Sequence, residues 1–94
     1  MIKDFKCKET KNIFSGEYSK KFPFDIQRIA MRKLLIIDSA ISLNDLRIPP
    51  SNNLEKLKGK MKGNYSIRIN DKWRICFSWK NEDAYNVYII DYHK

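Results

Sequence analysis

Tyr65-Ser66-Ile67-Arg68-Ile69-Asn70-Asp71-Lys72-Trp73-Arg74-Ile75-Cys76-Phe77-Ser78-Trp79 is the stretch whose reading decides the fold. Tyr65, Ile67 and Ile69 alternate with Ser66, Arg68 and Asn70. Trp73, Ile75, Phe77 and Trp79 alternate with Arg74, Cys76 and Ser78. A period of two is the mark of strands with one buried face. Asn70-Asp71 between the runs is a tight turn, so the strands pair antiparallel. Asn81-Glu82-Asp83 makes the next turn. Tyr85 to Ile90 is a nearly continuous apolar run and reads as a central strand buried on both faces.

Working backwards, Leu54 to Lys58 alternates and reads as a further strand. Pro49-Pro50-Ser51-Asn52-Asn53 breaks regular structure before it. The clearest helix starts near Asp25, a plausible N-cap, with Ile26, Ile29, Ala30, Leu34, Ile37 and Ile41 along one face. Ser42 and Asp45 have capping spacing for a short extra turn through Leu46. Lys8 to Phe14 reads as a short helix that Gly16 ends, and Ile2 to Cys7 as a short opening strand. The expected class is α+β: an N-terminal strand and two helices packed on one side of a twisted antiparallel sheet. Residues 1–94 read as a single domain.

The 94 residues carry a formal net charge of +8. Such charge points to an anionic partner, whether nucleic acid, membrane surface or acidic protein. No apolar run is long enough to span a bilayer, and the N-terminus lacks a signal-peptide core, so the expected location is the cytoplasm, without a membrane partner. Cys7 and Cys76 lack metal-ligand spacing and read as packed thiols rather than a disulfide. No metal site is expected.

The charge is concentrated. Leu54 to Arg74 holds seven basic residues against Glu55 and Asp71, a net +5. Strand parity puts Arg68 and Arg74 on the face opposite the core residues, close together across the turn. Lys58 is placed to join them. Converging cations suit a phosphate, Arg by bidentate contact and Lys as a point charge. A strand-face cation more often serves only solubility, and Lys60, Lys62 and Lys72 fit that reading or diffuse steering. Asp91-Tyr92-His93 then offers a carboxylate, a phenol and the chain's one imidazole within three residues. His is the usual acid or base near neutral pH, yet a terminal His is more often merely solvated.

Three segments carry a resemblance to a known family: Asp45-Leu46-Arg47-Ile48-Pro49-Pro50 with Leu54-Glu55-Lys56-Leu57-Lys58-Gly59, the Tyr65–Phe77 stretch, and Asp91-Tyr92-His93. Together they resemble HigB-type toxins of the RelE/ParE superfamily over essentially the whole chain. The resemblance implies a microbial-ribonuclease-like fold and cleavage of messenger RNA on the ribosome, without metal or cofactor. It implies attack of a ribose 2′-hydroxyl on the adjacent phosphate. Carried onto this chain, Arg74 would stabilise the developing charge and His93 would be the leading acid or base. Lys58 would hold the phosphate or share proton transfer, Asp91 would orient His93 or take a proton, and Tyr92 would stack or orient a base. Lys56, Lys60, Lys62 and Arg68 would contact RNA. The implied partners are a HigA-type helix-turn-helix antitoxin in a hetero-oligomer, operator DNA through that antitoxin, and the ribosome with its message. Some relatives carry histidine where this chain has Glu55, so a two-histidine scheme is absent. Two rival readings stand beside this one: a gyrase poison on the same fold, and an inactive, antitoxin-bound corepressor.

Overall fold

A computed structural model describes residues 1–57 and 63–91. In chain order it holds helix α1 (Lys8–Phe14), helix α2 (Phe24–Ser39), two 3-10 turns (Leu43–Arg47 and Pro50–Asn52), then strands β1 (Glu55–Lys56), β2 (Asn64–Arg68), β3 (Trp73–Lys80) and β4 (Asp83–Asp91). The sheet order is β1-β2-β3-β4, each neighbour antiparallel. This is the expected α+β class, with the helices on one face of the sheet. Among the described residues no helix is long and apolar enough to cross a membrane.

The decisive stretch folds as its pattern requires. Ile67 and Ile75 pair across β2 and β3 and are fully enclosed, as is Phe77 opposite Tyr65. They meet Ile26, Ala30, Leu34 and Ile37 of α2 in one core with Val87 and Ile89 of β4. The Asn70 side chain closes the β2–β3 turn by accepting the Lys72 and Trp73 N–H groups at 2.9 and 2.8 Å. Asn81 and Glu82 both take positive φ, 51° and 68°, which fits the two-residue turn joining β3 to β4.

Several expectations change. Pro23, not Asp25, stands at the N-cap of α2, and Asp25 lies in the first turn, where a carboxylate favours the helix dipole. Ile41 falls beyond the helix end and is 73% exposed. Gln27 and Lys33, polar by type, are buried instead. Gln27 bridges Ser19 and Phe22, its Nε2 donating to both carbonyls and its Oε1 accepting the Ser19 N–H. Tyr85–Ile90 belongs to β4, the last strand of the order, so it is not central. Its Asn86 and Ile90 are exposed. The opening segment makes two isolated parallel bridges, Ile2 with Ala84 and Phe5 with Val87, rather than a regular strand. That segment and Thr10, whose hydroxyl accepts the Ile89 N–H at 3.1 Å, cover the outer edge of β4 and protect it from pairing with another chain. The Leu54–Lys58 strand is formed at Glu55–Lys56, with Lys58 outside the described residues. The proline-rich break holds a 3-10 turn whose Asn52 is fully buried.

Candidate active site

The sheet face away from the helices carries the candidate chemistry. Arg68 and Arg74 are direct cross-strand partners, and Ser66 pairs with Cys76 one step along. Parity therefore holds, but Arg74 is not a solvated cation. It is 5% exposed and held on several sides. Its Nε donates to Ser66 Oγ at 2.8 Å. Its Nη2 donates to the Asn53 carbonyl at 2.6 Å and the Ser66 carbonyl at 3.3 Å. Its Nη1 lies 3.3 Å from Glu55 Oε1. A guanidinium fixed this way cannot swing, so its charge is directed before any ligand arrives.

Glu55 also belongs to this face. It pairs with Ser66 across β1 and β2 and so shares the Arg74 face. Lys56 pairs with Tyr65 and falls on the other side of the pleat. The two-residue period sends the neighbours Glu55 and Lys56 to opposite faces. Arg68 is on the correct face, but its Nη2 is bonded to the Asp71 carboxylate, an exposed pair three residues apart. Such pairs contribute little, about 0–1 kcal/mol, so a phosphate can displace the carboxylate readily.

Asp91 pairs with Trp73, on the helix side of the pleat, while Ile90 is the cross-strand neighbour of Arg74. Its carboxylate is nearly buried and lies 3.6 Å from Lys72 Nζ. Lys72 itself is largely exposed. The remaining candidates, Lys58, Lys60, Lys62, Tyr92 and His93, lie outside the described residues.

A second layer braces the loop before β1. Lys33 of α2 donates from Nζ to Asn52 Oδ1. Asn52 Nδ2 in turn donates to the Leu46 and Ile48 carbonyls, each at 3.2 Å. The next residue, Asn53, takes left-handed φ of 45° and offers its carbonyl to Arg74. Burial, with the charges of Arg32 and Arg68, holds the Lys33 ammonium below its ordinary pKa. Nothing in helical periodicity flags a buried lysine, and only its partner in a proline-rich loop explains it.

Comparison with known proteins identifies the family. Residues 3–93 match the family model described as the RelE-like toxin HigB of type II toxin–antitoxin systems. Toxin HigB-1 of Vibrio cholerae is 39% identical over 95 residues, covering 100% of this chain and 99% of that one. Endoribonuclease HigB of Proteus vulgaris is 38% identical over 94 residues, covering 99% and 100%. A chain of the YoeB–YefM complex from Staphylococcus aureus shares the fold, with a TM-score of 0.57 at 18% identity over 93% of this chain and 94% of that one. With the family model matching residues 3–93 and two relatives at 38–39% identity along nearly the full chain, the chain belongs to the RelE-like HigB family, the toxins of type II toxin–antitoxin systems.

Proposed function

We propose that this toxin is a metal-independent endoribonuclease that cuts messenger RNA on the ribosome in the cytoplasm, and that a HigA-type antitoxin restrains it. The observation that carries the reading is Arg74, enclosed on the open sheet face with the Glu55 carboxylate 3.3 Å away. A directed guanidinium stabilises the charge that gathers on a phosphate under attack. The name of the Proteus relative supports the same reaction class.

The reaction is internal transfer. The ribose 2′-oxygen bonds to phosphorus and the bond from phosphorus to the 5′-oxygen breaks. A 2′,3′-cyclic phosphate and a free 5′-hydroxyl result. Glu55 is positioned to accept the 2′-hydroxyl proton beside Arg74, and His93 gives a proton to the departing 5′-oxygen. Lys58, and Arg68 once the phosphate takes the place of the Asp71 carboxylate, hold the phosphate, with Lys60 and Lys62 adding charge along the RNA. Tyr92 stacks on a base. Asp91 acts from the Trp73 side of the pleat, through its neighbours in the chain rather than on the phosphate.

The test uses purified full-length toxin with one defined message, either free in solution or on stalled ribosomes. The expected result is cutting of the ribosome-bound message only, unaffected by EDTA, leaving 5′-hydroxyl ends. Equal cutting of free message removes the ribosome from the account. No cutting, with gyrase-dependent DNA breaks instead, replaces the reading with a gyrase poison.

A further inference from the structure

The polar sheet face continues beyond Arg74. Side chains two apart on a strand share a face, so it runs through Cys76 to Ser78 on β3 and through Ser66 to Asn64 on β2. Ser78 lies about 13 Å from Arg74 along the strand, in the direction away from the Trp73–Asp91 pair. There a cavity of about 320 Å³ is lined by Lys6, Asn64, Phe77, Ser78, Asn86 and Tyr88. The register between β3 and β4 slips at this point, between Cys76 and Ser78, and Asn86 takes φ of 54°. The extra residue bends the strand and opens the pleat.

The groups here have a definite chemistry. Lys6 Nζ sits 4.7 Å from the centre of the Tyr88 ring, and none of the ion pairs among the described residues includes it. Ser78 Oγ donates to Asn64 Oδ1 at 2.6 Å, which leaves the two Nδ2 donors of Asn64 for a ligand. Asn86 presents a second exposed amide, its backbone N–H fixed on Asp4 Oδ1 at 2.5 Å. One cation and two amides around a small cavity match a phosphate and a base edge. The volume is at the low end for ligand pockets and suits one nucleoside rather than a larger molecule.

We infer that this cavity is a subsite for one nucleotide of the RNA strand, flanking the nucleotide cut at Arg74, with Lys6 on its phosphate and the Asn64 and Asn86 amides on its base. The inference rests on the RNA-cleaving reading, and it makes the cavity a source of sequence preference. The strand then lies along β3, from the Asp91 end across Arg74 to Tyr88.

The test is resonance mapping of the full ¹⁵N-labelled chain with a 2′-O-methyl oligoribonucleotide, which cannot be cut. Backbone amides of Asn64, Ser78, Asn86 and Tyr88 should shift on titration. Lys6→Ala should weaken binding roughly ten-fold, the cost of one charged hydrogen bond. Asn64→Ala should change which nucleotides flank the cuts on ribosome-bound message, and thermal melts report that both variants are folded. Binding without shifts at these four amides, or no binding at all, overturns the subsite. Shifts at the four amides from a protein that cuts no message retain the subsite and overturn the ribonuclease reading instead.

Discussion

Arg74 and Glu55 illustrate how a single contact divides into what the sequence carries and what it hides. The side of the sheet that Arg74 occupies follows from strict alternation over Trp73–Trp79, and the cross-strand pairing with Arg68 follows from the short turn. Its enclosure does not follow, because Asn53 and Glu55 arrive from a segment separated from β2 by residues 57–63. No local pattern sets that register. Arg74→Ala should lower the rate of message cutting by about 10²–10³-fold, the usual loss when one donor aimed at developing charge is removed. Arg74→Lys should recover little, because an ammonium cannot reproduce the forked contacts to Ser66 and Asn53. Glu55→Gln keeps shape and hydrogen bonding and removes the proposed proton acceptor. Single-turnover rates on ribosome-bound message should fall at least ten-fold, and an unchanged rate would assign the base elsewhere.

At the scale of elements, α2 serves the core and the site together. Its apolar stripe was legible from spacing: Ile26, Ala30, Leu34 and Ile37 are all buried. Leu34→Ala should cost about 2–5 kcal/mol in chemical denaturation, the range for a deleted core leucine. Lys33 breaks the stripe, since a charged residue on the buried side contradicts amphipathic patterning unless a partner is known. Lys33→Met should lower the melting temperature, because it strands the buried Asn52 Oδ1 without its donor, and slow cutting by releasing the Asn52–Asn53 turn from its brace. Equal stability with undiminished cutting would make the brace irrelevant to Arg74. β4 offers a pH prediction. Burial and the neighbouring Cys76 push the Tyr88 hydroxyl up to about 12 from its ordinary 10. The folded chain therefore keeps a proton that the unfolded chain releases, and stability falls as pH rises from 10 toward 12. Tyr88→Phe should flatten that fall in denaturation curves measured across the interval.

At the scale of the whole molecule, the meander of β2, β3 and β4 was readable because short turns permit only antiparallel neighbours. The parallel bridges of Ile2 and Phe5 to β4 were not readable, since they join the two ends of the chain and depend on how the helices pack between them. The net charge of +8 acts over the same scale. It steers the toxin to an anionic surface, so association with ribosomes should weaken steeply with added salt. The account as a whole rests on Arg74 acting on RNA. The most direct measurement is genome-wide mapping of new RNA 5′ ends after brief expression of the wild-type chain and of Arg74→Ala, each confirmed folded by its thermal melt. The account predicts new 5′-hydroxyl ends inside translated messages for the wild type and their loss in Arg74→Ala. The same ends at the same abundance in the folded variant, or none in the wild type while growth still stops, would contradict it.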